Sequence, residues 1–142
     1  TMEVIWALQH SEVQHDADLA VQCAILHDTI EDTETSYDEL KNKFGEAVAK
    51  GVLALSKNKK KGELKQQMKD SLQRIKAQGK EIWLVKMADR SSNLHSPPYY
   101  WTKDKMEAYQ KEAQYIYEEL ADADKTMAQR LKERIRAYDK FL

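Results

Sequence analysis

The sequence predicts an all-α protein, a compact multi-helix bundle forming one domain over residues 1–142. Glycine and proline, the residues least compatible with a helix interior, occur only four and two times. Apolar residues recur with helical spacing, and no segment alternates between apolar and polar residues as a β-strand does. With 42% hydrophobic residues in a chain of 142, there is enough apolar material for one core.

Two helices are predicted at the start of the chain. The first covers residues 1 to 8 or 10, and because it opens at Thr1 without a capping residue, we expect native residues upstream of it. The second begins at residue 16 or 18 and continues through Asp32. Its middle is apolar almost all round, which is typical of a helix at the centre of a bundle.

A capped helix and a core helix are predicted next. Thr35 or Ser36 has the character of an N-cap, and Glu39, three residues after Ser36, would complete a capping box. Gly45 then ends this short helix. The following helix, residues 46 to 55, carries a regular apolar stripe that should face the core.

Helix-breaking glycine and proline residues divide the rest of the chain into segments. The run Lys57–Gly62 is interpreted as a solvated basic loop, although steering of a polyphosphate substrate is an alternative. The remaining predicted elements are a polar surface helix over 63–78, a helix over 82–94 that ends before Pro97 and Pro98, a helix from the Thr102 cap to 120, and a last helix over 125–138.

Several single residues are interpreted as structural. The aromatic patch Tyr99, Tyr100 and Trp101 is expected to plug the end of the helical core rather than to stack on a base. His10 and His15 are expected at the surface. Three methionines are expected to fill gaps in the core: Met68, Met106 and Met127.

Composition excludes some classes of function. Lys and Arg number 23 against 24 Asp and Glu, so no overall charge favours a nucleic-acid or membrane partner. The longest mostly apolar stretch, residues 19–26, is far shorter than the roughly 20 residues that span a bilayer. The single cysteine, Cys23, excludes an internal disulfide and favours a reducing, cytoplasmic location. Oligomeric state is left open by the sequence.

Four polar residues follow the apolar run of the second helix. His27, Asp28, Glu31 and Asp32 are spaced three and four residues apart, which places them together on one side of a helix. Ionised carboxylates next to a buried run need a compensating cation, and the segment 26–33 contains no Lys or Arg. Imidazole combined with carboxylates favours a divalent transition metal as that cation.

A second polar pair interrupts the apolar helix near residue 85. Asp89 and Asn93 are four residues apart and share one side of this helix. Taken singly, each of these residues has an ordinary structural explanation, such as a satisfied core histidine or a surface acid. Taken together, clustered acids on buried helices are typical of a functional site.

These motifs resemble those of the HD-domain phosphohydrolases, which are named for adjacent His and Asp metal ligands. The string His-Asp-Thr-Ile-Glu-Asp-Thr over 27–33, the capped helix ending in Phe-Gly-Glu-Ala-Val over 44–48, and Val-Lys-Met-Ala-Asp over 85–89 with Asn93 are most similar to the hydrolase domain of the Rel/Spo alarmone enzymes and their small stand-alone relatives. The resemblance runs from about residue 1 to residue 120.

The resemblance implies a function and a role for each residue. His27, Asp28 and Asp89 would be metal ligands, with manganese as the metal, while Glu31 and Asp32 would position or deprotonate the attacking water. Asn93 would contact the sugar or phosphate of the nucleotide. The implied reaction is hydrolytic removal of the 3′-pyrophosphate from guanosine tetra- or pentaphosphate by metal-activated water.

The chain departs from the family pattern at two places. The family has a further histidine ligand at or just before the position of Thr1, and an arginine often follows Asn93 where this chain has Leu94 and His95. His95 is interpreted as a cation at a helix end, with a pocket position as the alternative. Lys105 and Tyr109 could reach a phosphate.

Two other functions remain open from the sequence. One is hydrolysis of another nucleotide phosphoester, because HD sites share the metal and differ in the pocket wall. The other is a catalytically inactive helical module with a regulatory or interaction role.

Overall fold

Nine α-helices and three short 3₁₀ turns form the computed structural model, which describes all residues from Thr1 to Leu142. The chain contains no β-strand, so the predicted all-α class is confirmed. The 3₁₀ turns are Lys59–Lys61, Ala121–Ala123 and Tyr138–Phe141. The α-helices are α1 Met2–His10, α2 Ala17–Leu26, α3 Thr29–Asp32, α4 Tyr37–Phe44, α5 Glu46–Leu55, α6 Leu64–Lys76, α7 Lys80–Asn93, α8 Lys103–Leu120 and α9 Lys125–Ala137.

Side-chain caps fix where several of these helices begin. Ser36 accepts a hydrogen bond from the amide of Glu39 at 3.2 Å, and Thr102 accepts one from Lys105 at 3.2 Å, as the sequence predicts. Only the Ser36 half of the predicted capping box is present. At the start of α6 the backbone amide of Glu63 donates to Gln66 Oε1 at 2.9 Å, which the sequence analysis did not predict.

Helix α7 lies at the centre of the bundle and contacts α1, α2, α5, α6, α8 and α9. Its core-facing residues are almost completely excluded from solvent, including Ile82, Leu84 and Met87. Helix α5 approaches α7 closely at Gly51, where an added Cβ would lie 2.6 Å from Ile82 Cδ1. Because α7 touches so many elements, its position is fixed from several sides.

The predicted continuous helix from residue 16 or 18 through Asp32 is wrong. Helix α2 ends at Leu26, a turn follows at His27 and Asp28, and α3 is a separate single turn. Two side-chain hydrogen bonds compete with the helical pattern here. His27 Nδ1 lies 2.7 Å from the Ala24 carbonyl oxygen, and Thr29 Oγ1 donates to the Leu26 carbonyl at 2.7 Å.

The expected all-round burial of the middle of α2 is also wrong. Ile25 has 62% of its surface exposed, because this side of α2 faces solvent. Helix α6 was expected at the surface, and its inner side in fact packs into the core through Met68, Leu72 and Ile75. The methionine prediction is confirmed, since Met68 and Met127 are buried and Met106 packs against the core.

The expected aromatic plug is mostly wrong. Tyr99 is 99% exposed and Tyr100 is 69% exposed, and their rings contact each other edge to face. Only Trp101 turns inward, where its ring packs against Tyr109 with 5.0 Å between centroids. The Pro97–Pro98 segment therefore leads the chain outward before α8 begins.

His10 is exposed as predicted, but the surface prediction for His15 is wrong. The His15 side chain is only 1% exposed and its ring joins two carboxylates, with Nε2 2.9 Å from Asp124 and Nδ1 3.3 Å from Glu81. Ser11 also donates a hydrogen bond to Asp124. The Asp124 side chain additionally accepts from the Met127 amide at 2.8 Å, which caps α9. The loop between α1 and α2 is thereby tied to the first turns of α7 and α9.

No helix of the structure combines the length and the apolar character needed to cross a membrane.

Candidate active site

The predicted site residues from two distant segments meet at the turn between α2 and α3. His27 follows the last residue of α2, and Asp89 lies on α7 where that helix packs against α2. His27 Nε2 is 3.1 Å from Asp28 Oδ2 and 3.2 Å from Asp89 Oδ1. His27 is therefore in direct contact with both Asp28 and Asp89, and the packing of α2 against α7 brings the two predicted segments together.

The hydrogen bond on the far side of the His27 ring sets its orientation. Nδ1 faces the Ala24 carbonyl oxygen at 2.7 Å, an acceptor that holds the proton on this nitrogen and leaves Nε2 to face the carboxylates. A backbone carbonyl behind an imidazole is a common arrangement in metal centres, because it fixes both the tautomer and the direction of the coordinating nitrogen.

The charged groups of the cluster shift one another's pKa values. The hydrogen bond with Asp89 raises the pKa of His27 to about 9, and this effect exceeds the opposing effect of burial. Burial would raise the pKa of Asp89, but the His27 hydrogen bond and the nearby Lys86 charge lower it below its ordinary value. Burial raises the pKa of Asp28, against the effect of His27. The cluster thus favours one positive charge between the two acids.

The donor set fits a divalent cation by its chemistry. One imidazole nitrogen and two carboxylate oxygens form a normal partial shell for such an ion. Two ligands at right angles, each about 2.1 Å from one ion, lie about 3.0 Å apart. The observed separations from Nε2 are 3.1 and 3.2 Å. As the side chains stand, the carboxylates contact the imidazole itself, and no three acidic, His or Cys residues surround a common point.

Two adjoining cavities open on either side of this cluster. The first, of about 280 Å³, reaches towards Thr1 and Val4 of the first helix. The second, of about 210 Å³, reaches towards α8 and the Lys57 segment. Both are lined by His27, Asp28, Val85, Asp89 and Asn93. The cluster therefore stands in the middle of one cleft.

The other predicted site residues lie at different distances from the centre of the cleft. Glu31 lines the second cavity, and its Oε1 accepts a hydrogen bond from the backbone amide of Lys57. Asn93 is exposed and its Nδ2 is 3.5 Å from Asp89 Oδ1. Asp32 is exposed and lines neither cavity. Its negative charge contributes to the raised pKa of Asp28, but burial of Asp28 contributes more.

Residues with open roles are placed as follows. Tyr109 lines the second cavity, whereas Lys105 is exposed and its Nζ lies 4.8 Å from the Trp101 ring centroid. His95 is exposed at the end of α7, and its backbone amide donates to the Ser92 carbonyl. Lys59, Lys60 and Lys61 are exposed, as expected for a solvated loop.

The sequence analysis missed two cations on α7. Lys86 and Arg90 are buried, with 7% and 5% exposure, and both line the second cavity. Arg90 donates to Glu112 Oε1, and its guanidinium carbon lies 4.0 Å from the centre of the Tyr109 ring. Lys86 could have been found from the sequence, because it interrupts an apolar run just as Asp89 does.

The all-helical bundle and its central His-Asp cluster define the class of protein. The family model described as the HD domain matches residues 3–126. The chain therefore belongs to the HD-domain family, and the resemblance seen in its motifs is confirmed. Hydrolases of this family depend on a divalent metal.

Two curated relatives carry the same name. The chain is 36% identical over 118 residues to a guanosine-3′,5′-bis(diphosphate) 3′-pyrophosphohydrolase of Aquifex aeolicus (strain VF5), which covers 81% of this chain and 16% of the relative. It is 30% identical over 119 residues to a guanosine-3′,5′-bis(diphosphate) 3′-pyrophosphohydrolase of Danio rerio, covering 80% of this chain and 64% of the relative. The chain thus spans less than two thirds of either relative.

Solved structures show the same fold. A metazoan orthologue of SpoT, described as hydrolysing ppGpp, superposes with a TM-score of 0.79 at 23% identity, covering 95% of this chain and 77% of that one. A protein of Listeria monocytogenes EGD-e superposes with a TM-score of 0.74 at 17% identity, covering 96% and 93%. The bundle described above is therefore the fold of these proteins.

Proposed function

We propose that this chain is a metal-dependent phosphohydrolase domain that removes the 3′-pyrophosphate of guanosine tetra- or pentaphosphate. The observation that carries the proposal is the contact of His27 Nε2 with the Asp28 and Asp89 carboxylates in the middle of the cleft. The substrate is proposed from the names of the curated relatives, which are guanosine-3′,5′-bis(diphosphate) 3′-pyrophosphohydrolases.

His27, Asp28 and Asp89 are the residues that would hold the metal, and Mn²⁺ is the ion we propose. When bound, such a cation lowers the pKa of a bound water and offsets charge on phosphate oxygens. The Ala24 carbonyl supports this role because it orients His27 so that Nε2 faces both carboxylates. A cytoplasmic location, which follows from the single buried thiol, is part of the same proposal.

Glu31, with Asp32 beside it, is proposed to take the proton of the attacking water. The backbone amide of Lys57 donates to one Glu31 oxygen and orients the carboxylate along the cavity wall. Water attacks the phosphorus bonded to the 3′-oxygen, the bond from phosphorus to that oxygen breaks, and the 3′-oxygen takes a proton from solvent to become a hydroxyl as pyrophosphate is released. Asn93, which is exposed beside Asp89, is proposed to contact the sugar or phosphate.

The experiment that tests this function compares Asp89→Ala with Asp38→Ala in the full-length protein. Asp38 is an exposed acid of α4 outside the cleft, so its removal controls for the loss of one surface charge. Asp89→Ala should lose Mn²⁺ binding, measured by titration calorimetry, together with release of pyrophosphate from guanosine tetraphosphate. Asp38→Ala should retain both.

Three results separate the alternatives. Failure of the unaltered protein to bind a divalent metal and to release pyrophosphate contradicts the proposal. Metal binding with turnover of another nucleotide phosphoester, in a panel of such compounds, assigns a different substrate to the same site. An Asp89→Ala protein that keeps affinity for a partner, where no variant has activity, favours the regulatory module.

A further inference from the structure

Lys86 is a buried cation without a partner. The residue is 7% exposed on the central helix α7, its ammonium takes part in none of the hydrogen bonds or ion pairs of the structure, and the side chain lines the second cavity. Removing a charged group from water is costly unless another charge or hydrogen bond compensates it. Buried lysines without such compensation are uncommon, so the position of Lys86 needs an explanation.

The neighbours of Lys86 make one wall of the second cavity positive. Lys57 and Arg90 line the same cavity, and neither Lys57 nor Lys86 forms an ion pair. Arg90 is already engaged by Glu112 and by the Tyr109 ring. Burial lowers the pKa of Lys86, and the Arg90 charge adds to this, while Asp89 and Glu112 oppose it. An anion in this cavity would relieve the cost of holding these cations together.

We propose that Lys86 and Lys57 form a phosphate-binding subsite beside the His27, Asp28 and Asp89 cluster. The two ammonium groups provide donors that match phosphate oxygens, and burial of Lys86 strengthens each such contact. The identity of the ligand rests on the proposed function. It is the outer phosphate of the 3′-pyrophosphate, which leaves as part of the released pyrophosphate. The acidic cluster and the basic wall then bind opposite ends of one pyrophosphate.

A purely structural role for Lys86 predicts different contacts for its ammonium and a different effect of its substitution. A lysine retained only to balance Asp89 would lie within ion-pair distance of that carboxylate, yet the ion pairs of Asp89 include His27 and not Lys86. A lysine retained only for its aliphatic stem would tolerate replacement by methionine without any change in anion binding. These readings differ in a measurable quantity, the affinity for pyrophosphate.

The test is calorimetric titration of inorganic pyrophosphate into the full-length protein, without metal and with Mn²⁺. Lys86→Met, which keeps the length of the side chain, should weaken binding about tenfold or more in both conditions, the size expected for loss of one charge-assisted contact. Lys57→Met should also weaken pyrophosphate binding. Lys59→Met, an exposed lysine of the same loop, should change it less than about twofold.

Two further measurements act as controls. Mn²⁺ affinity should be unchanged in Lys86→Met, and binding of guanosine, which carries no phosphate, should also be unchanged. Lys86→Arg should recover part of the affinity because it restores the charge. If circular dichroism shows that Lys86→Met does not fold, the pyrophosphate affinity of Lys57→Met tests the subsite by the same criterion.

The subsite is refuted if neither substitution weakens pyrophosphate binding more than Lys59→Met does, or if guanosine binding falls equally. It is also refuted if the unaltered protein binds no pyrophosphate under either condition. Pyrophosphate binding that depends on Lys86 in a protein that binds no Mn²⁺ would support the subsite and contradict the proposed function. The two proposals therefore fail by different results.

Discussion

Asp124 is a buried acid outside the cleft whose removal should markedly lower the stability of the fold. Its carboxylate is 1% exposed and accepts hydrogen bonds from the Ser11 hydroxyl, from His15 Nε2 and from the Met127 amide. The change we consider is Asp124→Ala, with Asp124→Asn as a variant that keeps an N-cap but removes the charge. Asp122→Ala, an exposed acid in the adjacent 3₁₀ turn, is the matched control.

The expected magnitude follows from the partners that are left behind. Loss of the N-cap of α9 costs about 1 kcal/mol. Ser11 keeps a partner, because its hydroxyl also lies 3.0 Å from the Val13 carbonyl oxygen. His15 Nε2 would be left buried without its acceptor, which costs about 1–3 kcal/mol. Asp124→Ala should therefore lower the free energy of unfolding by about 2–4 kcal/mol, and Asp122→Ala by less than about 0.5 kcal/mol.

The Asp124 carboxylate should also make the stability of the protein depend on pH. Burial would raise the pKa of Asp124, but hydrogen bonds from Ser11, Met127 and His15 outweigh burial and lower its pKa below the ordinary value. A lowered pKa means that the folded protein binds this proton less tightly than the unfolded chain does. The stability due to Asp124 is thus present above about pH 4, the unfolded value, and is lost as the pH falls through the folded value.

Urea denaturation followed by circular dichroism, at pH 7 and at pH 3, measures both effects. The difference in unfolding free energy between the unaltered protein and Asp124→Asn should be larger at pH 7 than at pH 3. Asp124→Ala should be less stable than Asp124→Asn at pH 7, because only the alanine variant loses the cap. Equal stability of Asp124→Ala and Asp122→Ala at pH 7 would refute the reasoning.

Three further predictions concern packing and exposure. Gly51→Ala should lower the free energy of unfolding by about 1–2 kcal/mol in thermal or urea unfolding. The new Cβ would lie 2.6 Å from Ile82 Cδ1 and 2.7 Å from Cys23 Sγ, and this overpacking exceeds the gain in helix propensity. An increase in stability would contradict this prediction. Burial raises the pKa of Cys23 to about 12, so its thiol should react with Ellman's reagent at pH 8 only after urea is added, and rapid reaction of the folded protein would refute its protection. Tyr99→Ala should change unfolding free energy by less than about 0.5 kcal/mol, whereas a loss above about 2 kcal/mol would revive the core-plug interpretation.

The parts of the fold that local signals determine were predictable from the sequence. Ser36 and Thr102 start their helices with side-chain hydrogen bonds that reach only three residues ahead, so the sequence contains all the information needed. Gly45 ends α4 with a φ of 94°, a conformation that glycine adopts without strain. These features depend on neighbours along the chain.

Features that depend on distant residues were not predictable in this way. His15 is buried because Glu81 and Asp124, 66 and 109 residues further along the chain, supply acceptors for its ring. In the sequence it stands in a polar segment and resembles a surface residue. Similarly, the exposure of Tyr99 follows from the direction in which the chain leaves α7, and no periodicity encodes that direction.

The candidate site falls between these two cases. Its residues were found because His27, Asp28 and Asp89 are polar groups in apolar surroundings, which is visible in the sequence. Their contact depends on the packing of α2 against α7, which joins residues 62 positions apart in the chain and is not visible in the sequence. Lys86 interrupts the same apolar run, but lysine is not a metal ligand, and its burial is seen only in the folded structure.

Helix α7 carries Lys86, Asp89 and Asn93 at intervals of three and four residues, so one rigid element supplies both charge signs of the cleft. Along the helix axis these intervals correspond to about 4.5 Å and about 6 Å. Under the proposals above, the spacing between the Asp89 carboxylate that would hold the metal and the Lys86 ammonium that would hold the outer phosphate is therefore set by helical pitch. One residue added within α7 between these positions would therefore rotate lysine and aspartate away from each other.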